Sequence, residues 1–157
     1  MEQSIQQLFA YHVWATEKMM QHLETEAAVV FNKEIVSVFP SIKAVVDHLI
    51  EVEYLWFSRM TGRDACAVYP ESPNEARQKL STLHEEMTFY INSVVASEVI
   101  MYNTSQGEAF QNTVEELFIH LVNHGTYHRG NLSAMLRQQG IPGASTDYIY
   151  YLRELKG

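Results

Sequence analysis

One cysteine, Cys66, stands in 157 residues, so no disulfide can form within the chain and the fold has to hold without one. A single thiol fits a reducing compartment. Positive charge is also scarce: 11 Lys and Arg oppose 19 Asp and Glu, leaving a net charge of −8, and the cations are scattered. Nucleic-acid binders need grouped cations to neutralise phosphates, so that class is excluded. Long apolar runs are missing too. Nothing approaches the ~18 consecutive apolar residues of a membrane span, and the opening MEQSIQQLFAYHVW has neither the basic region nor the apolar stretch of a signal peptide. A cytoplasmic protein that does not enter the membrane is expected. Repeats, low-complexity segments and linkers are absent. Cys66 itself lies in the turn-like TGRDACAVYP, with no base near it in sequence, and catalysis by it is not expected.

What is present is helical pattern. The apolar fraction of 46% and charged fraction of 19% are those of a globular protein, and the length is that of one domain, taken as residues 1–157. Ile5, Leu8, Phe9, Met19 and Leu23 form one stripe at 3.6-residue spacing, with the polar His12 and Thr16 in its middle. A second helix begins after Pro40 and Ser41. Its stripe runs through Ile42, Val45, Val46, Leu49, Trp56, Phe57 and Met60, and Glu53 interrupts it. SPNE opens a third, with Ser72 as N-cap, Pro73 at the first helical position and Glu75 as the capping-box acid. Residues 96–112 read as loop or extended chain with a turn at Gln106-Gly107. Thr113 and Glu116 make a second capping box, starting a helix that runs to Gln139 and stops at Gly140 before Pro142. DYIYYLREL adds a short terminal helix capped by Asp147. The expected fold is all-α, a four-helix bundle with a short C-terminal helical segment, in which the second-to-third and third-to-fourth connections are longer than an up-down bundle requires and let at least one of them cross over.

Histidine is the residue in excess, seven in all. In HLVNHGTYHRGN three of them recur every fourth residue. At 100° per residue, Leu117, Leu121, Leu132 and Met135 define the inward face; His128 falls within it, His124 at its edge, and His120 about 40° further out. His124 and His128 are thus stacked one turn apart, able to give two imidazoles to one cation. A metal site needs a third ligand, and His48, His12 and His120 are the candidates. His48 lies on a helix too apolar to leave an imidazole in water without a partner. His84, beside Glu85 and Glu86, and His22, near a helix end, read as solvent-facing. No HExxH occurs, so the glutamate base of that metalloprotease arrangement is lacking.

Three segments carry a resemblance. NHGTYHRGN continued by LSAMLRQQGIPGASTDYIYYLRE, YHVWATEKMM near the start, and DHLIEVEYLW between them together resemble the landmarks of the DinB/YfiT-like family, in order and over nearly the whole chain. The DNA polymerase that shares the name DinB is unrelated, and nothing in the chain resembles it. The resemblance implies a four-helix bundle, commonly a homodimer, holding a divalent metal, usually zinc or nickel, on three histidines that map onto His48, His124 and His128. Asn131 departs from the pattern, where glutamine is usual, and His12 stands where asparagine is frequent, a position from which it would either line the cavity or contact metal-bound water. The relatives imply a metal-dependent S-transferase that activates a low-molecular-weight thiol for attack on an electrophilic small molecule. A non-catalytic metal-binding, stress-responsive protein and a metal-dependent hydrolase are the alternatives, and whether the chain is an enzyme at all is left open. Glu53 is read as either a structural group or a proton-handling neighbour of the metal, and Arg129 as either an exposed helix residue at a dimer edge or a contact for an anionic substrate.

Overall fold

The computed structural model describes residues 4–64 and 66–157. The N-terminal reading at residues 1–3, and Ala65 within the turn-like stretch, lie outside the described residues.

Four long helices build the molecule: α1, Ile5–Glu26; α2, Ile42–Thr61; α3, Pro73–Ser93; and α4, Val114–Gln138. Each starts where a hydroxyl satisfies an otherwise orphaned amide. Ser4, Ser41, Ser72 and Thr113 accept the N–H groups of Gln7, Ala44, Glu75 and Glu116, respectively. Thr113 and Glu116 form the full reciprocal box, the Glu116 carboxylate accepting the Thr113 N–H at 2.9 Å. Glu75 does not close the expected capping box: its carboxylate reaches one residue further back, to the Glu71 N–H at 2.9 Å, rather than to the N–H of Ser72. α2 stops at Gly62, whose φ of 70° is the left-handed conformation that ends helices.

α1 packs on α3 and α4, while α2 packs on α4 and α3, so α1 and α2 occupy opposite corners. The link between them, residues 27–41, therefore crosses an end of the bundle, a crossing that the sequence did not single out. It carries a 3₁₀ turn at Ala28–Val30 and buries Phe31 and Ile35 in the core. The stretch between α3 and α4 is a two-stranded antiparallel hairpin, β1 (Val99–Asn103) with β2 (Ala109–Thr113), in a register pairing Met101 with Gln111. Its turn uses Gly107 at φ 83°. α5, Tyr148–Leu155, packs against α1, where Tyr151 is buried beside Tyr11 and Ala15. Asp147 holds the N-cap position of α5 but makes no side-chain capping bond, unlike the sequence expectation. No helix among the described residues is long and apolar enough to cross a membrane.

The apolar core falls into two main clusters along the bundle. One gathers Met19, Leu23, Val46, Leu49, Leu132 and Met135; the other gathers Phe9, Phe57, Leu83, Met87, Phe118 and Leu121. Between them sits a layer of buried polar side chains.

Candidate metal centre

Among the described residues two groups bring three ligand atoms within 4.8 Å of one another, close enough to share an ion: His48, His124 and His128, and His12, Glu53 and His84. They differ in where they sit and in how their hydrogen bonds are used.

The first group lies in the seam between α2 and α4. His124 and His128 stack one turn apart, with ring centroids 4.4 Å apart, and the His48 ring faces them at 5.0 and 4.6 Å. Burial follows the helical phase of α4: His128 is buried, His124 half-buried and His120 exposed. His48 is half-buried as well, so the group opens toward the surface. The Nε2 atoms of His48 and His124 face each other at 3.1 Å. Two imidazole nitrogens on one tetrahedral zinc, each about 2.0–2.1 Å from it, stand about 3.3 Å apart, so the spacing fits a shared cation. Burial, with His128 and His48 nearby, pulls His124 down to about 4, and burial and His48 lower His128. Both are then neutral near pH 7, the form that donates a lone pair to a metal. Phe39 packs on His48 and His128 at 5.7 and 5.5 Å, forming an apolar wall. The Asn131 carboxamide lies 3.2 Å from His128 Nδ1. The departure from glutamine at this position therefore falls directly on one of the three rings.

The second group is sealed. His12, Glu53 and His84 are 0%, 1% and 3% exposed, and they come from α1, α2 and α3. The Glu53 carboxylate accepts from His12 Nε2 at 2.8 Å and from His84 Nε2 at 2.6 Å. Burial would raise the Glu53 carboxyl, but the imidazoles of His84 and His12 outweigh it and hold it well below the usual carboxylate range. Burial draws His12 down to about 4 against the pull of Glu53. Arg129, 2% exposed, completes the chain: its Nη1 lies 3.3 Å from His12 Nδ1 and 3.1 Å from Thr16 Oγ1, and its Nη2 donates to Thr126 Oγ1 at 3.1 Å. A guanidinium only donates. Nδ1 of His12 must therefore accept, and the ring proton sits on Nε2, directed at Glu53. Anion and cation are joined through one neutral imidazole.

Two readings from sequence are corrected here. His84 does not face solvent; one turn beyond Leu80, it turns inward because Glu53 supplies the acceptor that lets an imidazole be buried. Arg129 is not an exposed edge residue, since the step of 100° beyond His128 points it at α1 rather than outward. His22 is half-buried, its Nε2 donating to the Pro142 carbonyl at 2.6 Å. His12 lines the buried group rather than the three-histidine seam. Cys66 is exposed. The signal that would have shown the second group is the set of polar interruptions itself: His12 and Thr16 on α1, Glu53 on α2 and His84 on α3 each sit among buried apolar residues, and Glu53 meets both histidines while Arg129 meets His12 and Thr16.

Known proteins share this plan. The DinB family model matches residues 1–155. "Protein DinB" of Bacillus subtilis (strain 168) is 37% identical over 158 residues, a span covering 92% of this chain and 91% of that protein. A likeness of that depth, running from α1 through α5, shows that the chain belongs to the DinB family.

Proposed function

We propose that the chain binds one divalent metal ion through His48, His124 and His128, and that it acts as a metal-dependent S-transferase toward a low-molecular-weight thiol. The observation that carries the reading is the convergence of three imidazoles at an open seam, two of their Nε2 atoms 3.1 Å apart. The buried group is the poorer host. A cation on His12 Nε2 would require the proton on Nδ1, where it would meet an Arg129 N–H, and Arg129 already places a positive charge there. Three imidazoles suit zinc or nickel. Bound there, such an ion acidifies a coordinated thiol and so supplies thiolate near neutral pH.

The chain's own side chains prepare that site. Phe39 keeps water from one side of His48 and His128. The Asn131 carboxamide nitrogen lies 3.2 Å from His128 Nδ1 and holds that ring's orientation at the seam. Glu53, ionised and close enough to influence His124, offsets part of the positive charge. The reading takes residues 1–157 as a single unit in the cytoplasm. It also takes the state in solution as a homodimer, supported by an apolar groove of about 530 Å³ between α1 and α3 with Phe89 77% exposed at its side; light scattering reads that state.

The test is thiol-dependent consumption of monochlorobimane by untagged, metal-loaded protein, with bacillithiol, glutathione, cysteine and coenzyme A as thiols. Turnover with at least one thiol, lost in His48→Ala, is the expected result. Full metal content without turnover on any thiol and a panel of further electrophiles would overturn the transferase and leave a metal-binding protein without catalysis.

A further inference from the structure

The three histidines are one end of a longer feature. His48, Val52, Trp56 and Arg59 recur every three or four residues and share one face of α2; on α4, running the opposite way, His128, His124 and His120 share another. Ring contacts join the faces without a gap: His120 lies 5.9 Å from His124 and 5.1 Å from Trp56, and Trp56 lies 5.1 Å from Tyr102 of the hairpin. At the far end the Arg59 guanidinium sits over both Trp56 and Tyr102, 4.5 and 4.9 Å from their centroids. Stacked on two rings and held by the Asn103 carbonyl at 3.3 Å, it has lost most of its conformational freedom. Among the described residues no carboxylate lies within 4.0 Å of it, and that carbonyl bond uses one of its five N–H donors. A half-exposed cation fixed on an aromatic floor, in a chain of net charge −8, is a prepared receptor for an anion.

We propose that Arg59 anchors the anionic end, a carboxylate, of an elongated ligand whose other end lies at the three histidines, with Trp56 and His120 as the floor between. This rests on the metal and thiol reading above. Arg59 lies eleven positions beyond His48, so at 1.5 Å per residue the two ends lie roughly 16–17 Å apart along α2, with Trp56 about 12 Å along the way. The ligand class is therefore a thiol carrying a carboxylate at that distance, rather than a short mercapto acid.

The experiment uses the full chain loaded with cobalt and three probes: 11-mercaptoundecanoate, its neutral counterpart 11-mercapto-1-undecanol, and 3-mercaptopropionate. Calorimetric affinities should show the long carboxylate preferred over the alcohol by about tenfold, as for a charge-assisted contact. Arg59→Gln should erase that preference and leave 3-mercaptopropionate unchanged. Arg59→Lys, which keeps the charge but not the fork, should retain part of it, and decides the matter if the glutamine variant does not fold. An Arg59 that merely braces the hairpin would not move the ratio of carboxylate to alcohol. Equal ratios in wild type and variants, or no preference in wild type, would overturn the proposal. The cobalt spectrum separates the two claims: a thiolate charge-transfer band supports both, whereas a carboxylate preference that depends on Arg59 without that band removes the metal reading and leaves the anion anchor standing.

Discussion

Gly125 has no side chain because His12 fills the place where one would go. A Cβ there would lie 2.3 Å from His12 Cε1, 2.6 Å from its Nδ1 and 2.9 Å from Arg129 Nη1. The glycine of NHGTYH thus serves the buried network, while the histidine on either side of GTY serves the seam. Gly125→Ala should destabilise the fold by about 1–3 kcal/mol as the ring is forced aside, read as a lower urea midpoint. Glu53→Gln should cost about 3–5 kcal/mol, because it removes the anion on which Arg129, His12 and His84 depend; a loss under about 1 kcal/mol would mean the network is not what holds α1, α2 and α3 together. At this scale the sequence was informative about position and less so about partners. The phase of α4 ranks the burial of His128, His124 and His120 correctly, since phase depends only on spacing. It cannot show that His84 and Arg129 are buried, because charged and polar residues are buried only when another element completes their bonds.

The helices were legible because each has a chemical start as well as a stripe. Thr113→Ala should remove about 1 kcal/mol through the lost cap on α4, measurable in denaturant, and should leave metal binding intact, since His120, the first of the three histidines on α4, lies nearly two turns beyond. The hairpin was legible only as extended chain with a turn. β1 buries Ile100 but carries apolar side chains on its exposed face as well, and β2 buries none of its side chains, so no alternation of apolar and polar residues marks either strand. Asp147 shows the opposite failure: the residue type suits a cap, yet the bond is not made, and α5 is held instead by packing Tyr151 against α1.

Across the whole molecule, the buried imidazoles couple stability to pH. His12 and His124 are both lowered from 6.5 to about 4, so the unfolded chain takes up these protons before the folded one does. Their contribution is complete above about pH 6.5 and is lost as pH falls toward 4, with a slope of up to about 1.4 kcal/mol per pH unit for the buried His12 and less for the half-exposed His124. Glu53, held low, adds a contribution that is complete above the ordinary carboxylate range and is lost progressively as pH falls through and below it. Urea midpoints should accordingly fall from pH 7 to pH 4.5, and a flat profile would contradict the neutral state assigned to His12. Metal should raise the midpoint at pH 7, by about 2.7 kcal/mol at a hundredfold excess over its dissociation constant, and by less as the ligands protonate.

The choice between the two three-residue groups is the claim on which the rest depends, and metal stoichiometry decides it. Untagged chains carrying wild type, His48→Ala, His124→Ala, His128→Ala and His84→Gln are loaded with zinc, desalted and assayed for metal per folded chain. The expected result is one ion in wild type and in His84→Gln, and a loss of at least tenfold in affinity in each of the other three. Zinc retained by all three alanine variants but lost from His84→Gln would place the ion in the buried His12–Glu53–His84 group and contradict the assignment.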